Sequence, residues 1–203
     1  MTTWAIVPVK PLRRAKSRLS PVLGATDRLE LSKQMLRRVL DALGSLPDIE
    51  RTLLVSRDTE AMALARRHGA RTLSERPPID LNQALQQATR LAIACGASAV
   101  LVLPADLPLV TPDDLRHLMS LADPAPSVVV APDRRREGTN ALLVSPAALI
   151  EYAFGPSSFD RHRAAALAAG ARLAVCDLPG LALDLDLPED LGLLREASGG
   201  MAA

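Results

Sequence analysis

At 203 residues, 48% of them hydrophobic, the chain is long enough to bury the core of one domain and short for two, and it has the composition of a folded globule rather than a disordered segment. A formal net charge of +1 excludes nucleic acid or an acidic membrane surface as a partner held by bulk charge, and aromatics at 2% leave Leu, Val, Ile and Ala to build the core. Cys95 and Cys176 have neither CxxC spacing nor a nearby His pair, so no zinc site is read, and both lie in apolar stretches, where reduced core thiols are expected.

In chain order, Thr3–Val9 reads as a first strand. It is too short for the apolar region of a signal peptide, and Pro8 interrupts it. Apolar runs elsewhere fall short of a membrane span, so a cytoplasmic protein is expected. After a basic loop over Lys10–Arg18, Asp27 is expected to cap a helix whose Leu29, Leu31, Met35, Leu36, Val39, Leu40 and Leu43 recur at helical spacing up to Gly44. Thr52–Ser56 reads as a strand, Asp58 as the cap of a helix through Arg67 ended by Gly69, and Arg71–Leu73 as a short strand. A helix over Asp80–Cys95 stops at Gly96. Ala99–Pro104 is wholly apolar, as a central parallel strand covered on both faces would be. Strands at Val128–Ala131 and Asn140–Val144, a helix at Ser157–Ala169, a strand at Arg172–Cys176 and a helix at Pro188–Glu196 complete the series. The alternation predicts an α/β fold with a mostly parallel sheet, whose chemistry belongs at the carboxyl ends of the strands. One domain is expected over residues 1–197, with a disordered tail over 198–203.

Five segments could carry chemistry. Lys10 and Lys16, two of the three lysines, share the first loop with Arg13, Arg14 and Arg18, and such a cluster could neutralise a triphosphate or be a solvated loop. The chain has neither a GxxxxGK nor a GxGxxG sequence. Asp106, directly after the apolar strand, is a charge at the sheet's carboxyl edge, or a turn-forming Asp between prolines. Asp184 and Asp186 would share one side of an extended segment, where two like charges call for a cation and two carboxylates suit magnesium; helix capping is the alternative for Asp186. Glu137–Asn140 could wrap an anion with backbone N–H groups or be a polar hairpin turn. Phe154–Phe159 precedes a helix whose start could be capped by Ser157 or Ser158 or could bind an anion, and His162 in its early turns reads as a surface or capping histidine.

Together, the segments VPVKPLRRAKSRL, PADLP, EGTNALL, FGPSSF and LDLDLPEDL, in this order, resemble one family over nearly the whole chain: the guanylyltransferases of coenzyme F(420) biosynthesis, which join GTP to phosphoenolpyruvate or 2-phospho-L-lactate. The resemblance implies the single-domain α/β nucleotidyltransferase fold, nucleotide-diphospho-sugar transferase-like, with a mostly parallel central sheet. It implies magnesium (Mg2+) on Asp106, Asp184 and Asp186, with catalytic roles for these and Lys16. It places the acceptor near Thr139, Gly155 and Ser158, the GTP phosphates on Lys10, Lys16 and Arg18, and the base near Leu81 and Asn82. Leu185, where a Val is more usual, is a conservative departure. The partners implied are GTP and a small phosphorylated carboxylic acid, with no nucleic acid and no membrane; a homodimer is compatible with the sequence. Phosphoenolpyruvate is the expected acceptor, ahead of 2-phospho-L-lactate and 3-phosphoglycerate. A molybdopterin guanylyltransferase, whose glycine-rich first loop is missing, and a non-catalytic nucleotide-binding module are the alternatives.

Overall fold

The computed structural model describes residues 2–75 and 80–199. Its seven-stranded sheet has the order β3-β2-β1-β4-β6-β5-β7. The strands are β1 (Thr3–Pro8), β2 (Ile49–Ser56), β3 (Arg71–Ser74), β4 (Ala99–Val102), β5 (Ser127–Pro132), β6 (Thr139–Ser145) and β7 (Arg172–Val175). All neighbouring pairs are parallel except those of β6, which runs against both β4 and β5. The turn between β5 and β6 is therefore a hairpin, and β6 begins at the edge where the parallel strands end.

Alternation along the strands explains why the central ones are apolar throughout. Ala5 and Val7, Leu101, Val129, Leu143 and Ala141 face one buried cluster, while Trp4 and Ile6, Val100, Val102, Val130 and Leu142 face the other. The helices α1 (Ala25–Gly44), α2 (Thr59–Arg67) and α4 (Pro112–Ser120) cover the first face; α3 (Leu81–Ala94) and α5 (Ser158–Ala168) cover the second. A short helix α6 (Pro179–Ala182) and α7 (Pro188–Gly199) end the described chain. Among the described residues no helix is long and apolar enough to cross a membrane.

Asp58 and Asp80 cap α2 and α3, accepting from backbone N–H groups two or three residues on. Gly69, Gly96 and Gly170 follow α2, α3 and α5 with φ of 79°, 97° and 65°, so each ends its helix in the left-handed region. Several expectations need correction. Gly24, not Asp27, precedes α1, and Asp27 lies inside its first turn, where a carboxylate favours the positive end of the helix. Helix α4 was not expected, although Thr111-Pro-Asp-Asp114 carries its start: Thr111 Oγ1 accepts from the Asp114 N–H at 3.2 Å, and Asp114 Oδ2 accepts from the Thr111 N–H at 2.9 Å. Cys176 is buried, but Cys95 is exposed at the end of α3, on the turn that leads into β4. Helix α7 runs through Gly199, past the expected start of the tail, and 200–203 lie outside the described residues.

Candidate active site

The basic loop is anchored at both ends by apolar residues. Leu12 and Leu19 are buried, and each lies in a short 3-10 turn, Leu12–Arg14 and Ser17–Leu19. Asp58, already the cap of α2, also accepts from the Leu12 N–H at 2.7 Å. Between the two turns Lys16 takes φ 56°, a conformation that costs a non-glycine residue energy and aims its side chain inward. Lys10, Arg13, Arg14 and Arg18 stay exposed.

The Lys16 side chain is 6% exposed, and its ammonium donates to Asp106 Oδ2 at 2.9 Å and to Asp186 Oδ1 at 2.8 Å. Arg18 stands 4.0 Å from the other oxygen of Asp186. Three sheet-edge loops thus meet on one cation: the loop after β1, the segment after β4, and the segment between α6 and α7. Burial opposes the ammonium, but Asp106 and Asp186 outweigh it and raise the Lys16 pKa above the ordinary lysine value. Asp186 shows the mirror image. Burial pushes its carboxyl up, and Lys16, with Lys10 and Arg18 behind it, holds it below the usual carboxylate range.

Asp184 differs. It forms no ion pair among the described residues, and burial, followed by the charges of Asp106 and Asp186, pushes its carboxyl up to about 6. Leu185 between the two aspartates is fully buried, so the segment turns its apolar side chain inward at this position. Its N–H donates to the Asp106 backbone oxygen at 3.2 Å, which ties the two acidic segments together. The Asn140 side chain at the start of β6 donates to the carbonyls of Leu181 at 2.9 Å and Ala182 at 3.2 Å, holding α6 in place.

Hard carboxylate oxygens suit magnesium. Among the described residues, however, no three acidic, histidine or cysteine side chains form a group that could hold a metal ion. The ammonium of Lys16 already spans Asp106 and Asp186, so Asp184 is the carboxylate whose charge still lacks a counter-ion.

The expected acceptor residues lie on the hairpin and at the start of α5. The register pairs Val102 with Leu142, which sets Thr139 beyond the end of β4, on the side from which Asp106 follows. Thr139 is buried, with Oγ1 2.9 Å from His162 Nδ1, and the Ala153 N–H donates to His162 Nε2 at 3.0 Å. That second bond requires an unprotonated Nε2, so Nδ1–H donates to Thr139 and leaves the threonine hydroxyl proton free for another acceptor. His162 is thus a fully buried structural residue, neither a surface nor a capping one, because two polar groups of the core need its nitrogens. Burial, reinforced by the charge of Arg161, lowers its pKa to about 4.

Gly155 takes φ 122° and Ser157 φ 54°, and neither Ser157 nor Ser158 makes a side-chain cap to α5. The buried Ser158 and the start of α5 are held by backbone bonds instead, Ser158 N–H to Gly155 at 3.1 Å and Phe159 N–H to Glu137 at 3.2 Å, which join this loop to the hairpin turn. Asn82 clamps the same loop: it donates to the Phe154 carbonyl at 3.1 Å and accepts from the Phe154 N–H at 2.8 Å. Its amide is committed to backbone, and Leu81 beside it is exposed. A groove of about 800 Å³ between α1, Pro108–Pro112 and Leu194 contains none of these residues.

An α/β sheet that gathers a buried lysine and three aspartates at its carboxyl edge has the architecture of the nucleotidyltransferases. A nucleotidyl transferase from Methanothermobacter thermautotrophicus matches with a TM-score of 0.68 at 18% identity, over 97% of each chain, a likeness that shows the fold. The family described as "Guanylyl transferase CofC like" matches residues 3–199, and the chain belongs to that family. It is 47% identical over 201 residues to the phosphoenolpyruvate guanylyltransferase of Rubrobacter xylanophilus, covering 99% of this chain and 97% of the relative. It is also 38% identical over 192 residues to the 2-phospho-L-lactate guanylyltransferase of M. thermautotrophicus, covering 95% and 83%.

Proposed function

We propose that this guanylyltransferase joins GTP to phosphoenolpyruvate, giving enolpyruvoyl-2-diphospho-5'-guanosine and pyrophosphate, in the cytoplasm and with magnesium. The observation that carries the chemistry is the Lys16 ammonium held between Asp106 and Asp186 beside the unpaired Asp184. The choice of acceptor is supported by the 47% identical relative that bears the phosphoenolpyruvate name.

A phosphate oxygen of the acceptor attacks the α-phosphorus of GTP. One P–O bond forms as the bond from the α-phosphorus to the leaving pyrophosphate breaks. The nucleophile is already ionised at neutral pH, so no general base is needed, and positioning with charge neutralisation does the work. Lys16, with Lys10 and Arg18 at the mouth of the loop, offsets the charge of the triphosphate. The free hydroxyl proton of Thr139 donates to the acceptor, and the backbone of Gly155 and Ser158 shapes the other side of its pocket. With Asp106 and Asp186 taken up by Lys16, magnesium would be held by Asp184 together with the substrate phosphates, and it would supply Lewis-acid stabilisation of the reacting phosphate oxygens when bound.

Pyrophosphate release and product mass, measured with GTP, magnesium and each acid in turn, test this reading. Phosphoenolpyruvate should give the dominant product in a mixture of equal concentrations. Dominant guanylylated phospholactate would move the assignment to the second acceptor, which the 38% identical relative favours. No product from any acid would remove the proposal.

A further inference from the structure

Asp190 lies in the first turn of α7 and is 4% exposed. A buried carboxylate is costly unless its oxygens are satisfied, and here both are. One oxygen accepts from the N–H groups of Leu187, at 2.6 Å, and of Asp186, at 3.0 Å; the other accepts from the Arg134 guanidinium at 3.0 Å. Reaching back to Leu187, the residue before the helix, is ordinary work for an acidic side chain in a first turn. The bond to Asp186 goes further, because it falls on the residue whose own carboxylate meets Lys16.

Arg134 grips the same segment at its other end. Its backbone N–H donates to the Ala182 carbonyl at 2.9 Å, while its side chain reaches Asp190 and Glu189, each at 3.0 Å. One residue of the hairpin turn therefore spans the stretch that contains Asp184 and Asp186. The turn itself is fixed: Asp133 accepts from the Glu137 N–H at 2.9 Å, and a Cβ on Gly138 would come within 2.8 Å of the Asp133 carboxylate.

We propose that Asp190, locked by Arg134, is a positioning residue that fixes the backbone at Asp186 so that its carboxylate stays on Lys16. Buried and with both oxygens taken by protein donors, it acts through Asp186. It makes the acidic segment and the acceptor hairpin one rigid unit, which matters because small displacements of an aligned site cost about a hundredfold in rate. The inference rests on the proposed reading of the same site.

Two readouts on the full chain test it. In pyrophosphate release, Asp190→Ala should lower kcat roughly tenfold or more, with the phosphoenolpyruvate KM within about twofold of wild type. Asp190→Asn keeps an oxygen for the two N–H groups but turns an NH2 toward the Arg134 guanidinium, so it should recover part of that loss. Should Asp190→Ala fail to fold, Arg134→Ala against Arg134→Lys gives the same comparison. The second readout is independent of turnover. With only three lysines in the chain, nitrogen-15 lysine labelling should show a protected Lys16 ammonium signal in the wild type that vanishes by exchange in Asp190→Ala and persists in Asp190→Asn. Wild-type kcat and an unchanged ammonium signal in folded Asp190→Ala, or Asn no better than Ala, would overturn the positioning role. A wild type that turns over no acid, yet loses the signal in Asp190→Ala, would sink the proposed reaction and leave the positioning role standing.

Discussion

Leu19 and Leu185 share one small apolar cluster with Met35, each shielded completely from solvent. The first belongs to the basic loop and the second separates the two aspartates. The meeting of Lys16 with Asp186 thus rests on a hydrophobic contact, which does not weaken with salt as exposed charge pairs do.

Leu185→Ala should therefore damage both stability and turnover. Truncating a buried leucine costs about 2–5 kcal/mol, and a volume-conserving Leu185→Met less than about 1.5 kcal/mol. Chemical denaturation of the three proteins checks the order. An alanine variant as stable as the methionine one would show that the cluster bears no strain.

Lys16 and Lys33 provide an internal contrast. Lys33 pairs with Glu60 at 2.5 Å, between α1 and α2, where a partly exposed pair contributes about 0–1 kcal/mol. Lys33→Ala should leave turnover unchanged. Lys16→Ala removes a charge-assisted contact of roughly 1.5–3 kcal/mol, so kcat should fall roughly ten- to a hundredfold. Equal rates in the two variants would mean that the loop is only solvated.

His162 should make the protein acid-sensitive. Its folded pKa, about 4, lies below the ordinary histidine value of 6.5, so the unfolded chain takes up the proton first. Its stabilising contribution is present in full above pH 6.5 and is lost as pH falls through 4. Thermal midpoints of wild type and His162→Gln should converge over that window, the wild type starting higher. A constant gap between the two curves would contradict the assignment of the neutral tautomer.

Gly180→Ala should destabilise the protein although the residue supplies no group to the proposed reaction. A Cβ there would clash with Asp114 Oδ2, the carboxylate that closes the capping box of α4. Overpacking costs about 1–3 kcal/mol, and a displaced cap adds about 1 kcal/mol. Asp114→Ala made in the same chain should absorb part of the loss, and strictly additive losses would rule the clash out.

Much of this architecture was legible in the sequence because its signals are local. The wholly apolar Ala99–Pro104 announces the central strand at Ala99–Val102, Asp58 and Asp80 announce their helices, and the spacing of Asp184 and Asp186 puts both on one side of an extended segment, opposite the buried Leu185. Strand β6 was recognised but its direction was not, since an apolar strand carries no mark of which way its neighbours run. Helix α4 is harder to read although Thr111–Asp114 spells a capping box, because it is only nine residues long and follows closely on Pro104 and Pro108, which favour turns. The site's second layer was invisible for a different reason. Asp190 read as a first-turn charge and Asn82 as a neighbour of the base, yet each is defined by a partner far along the chain. The same holds for Lys16, read as a phosphate ligand and found between two carboxylates.

The glycines divide the molecule into two kinds of surface. At the edge where the parallel strands begin, a side chain added at Gly69, Gly96 or Gly170 would meet nothing within 4 Å, and only the backbone angle resists it. At the opposite edge, Gly138 and Gly180 are pressed against carboxylates. Sequence drift, inserted residues and engineered fusions have room on the first edge. On the second, nearly every loop is already spoken for by another, so a graft meant to change acceptor preference would have to carry the hairpin and the acidic segment together.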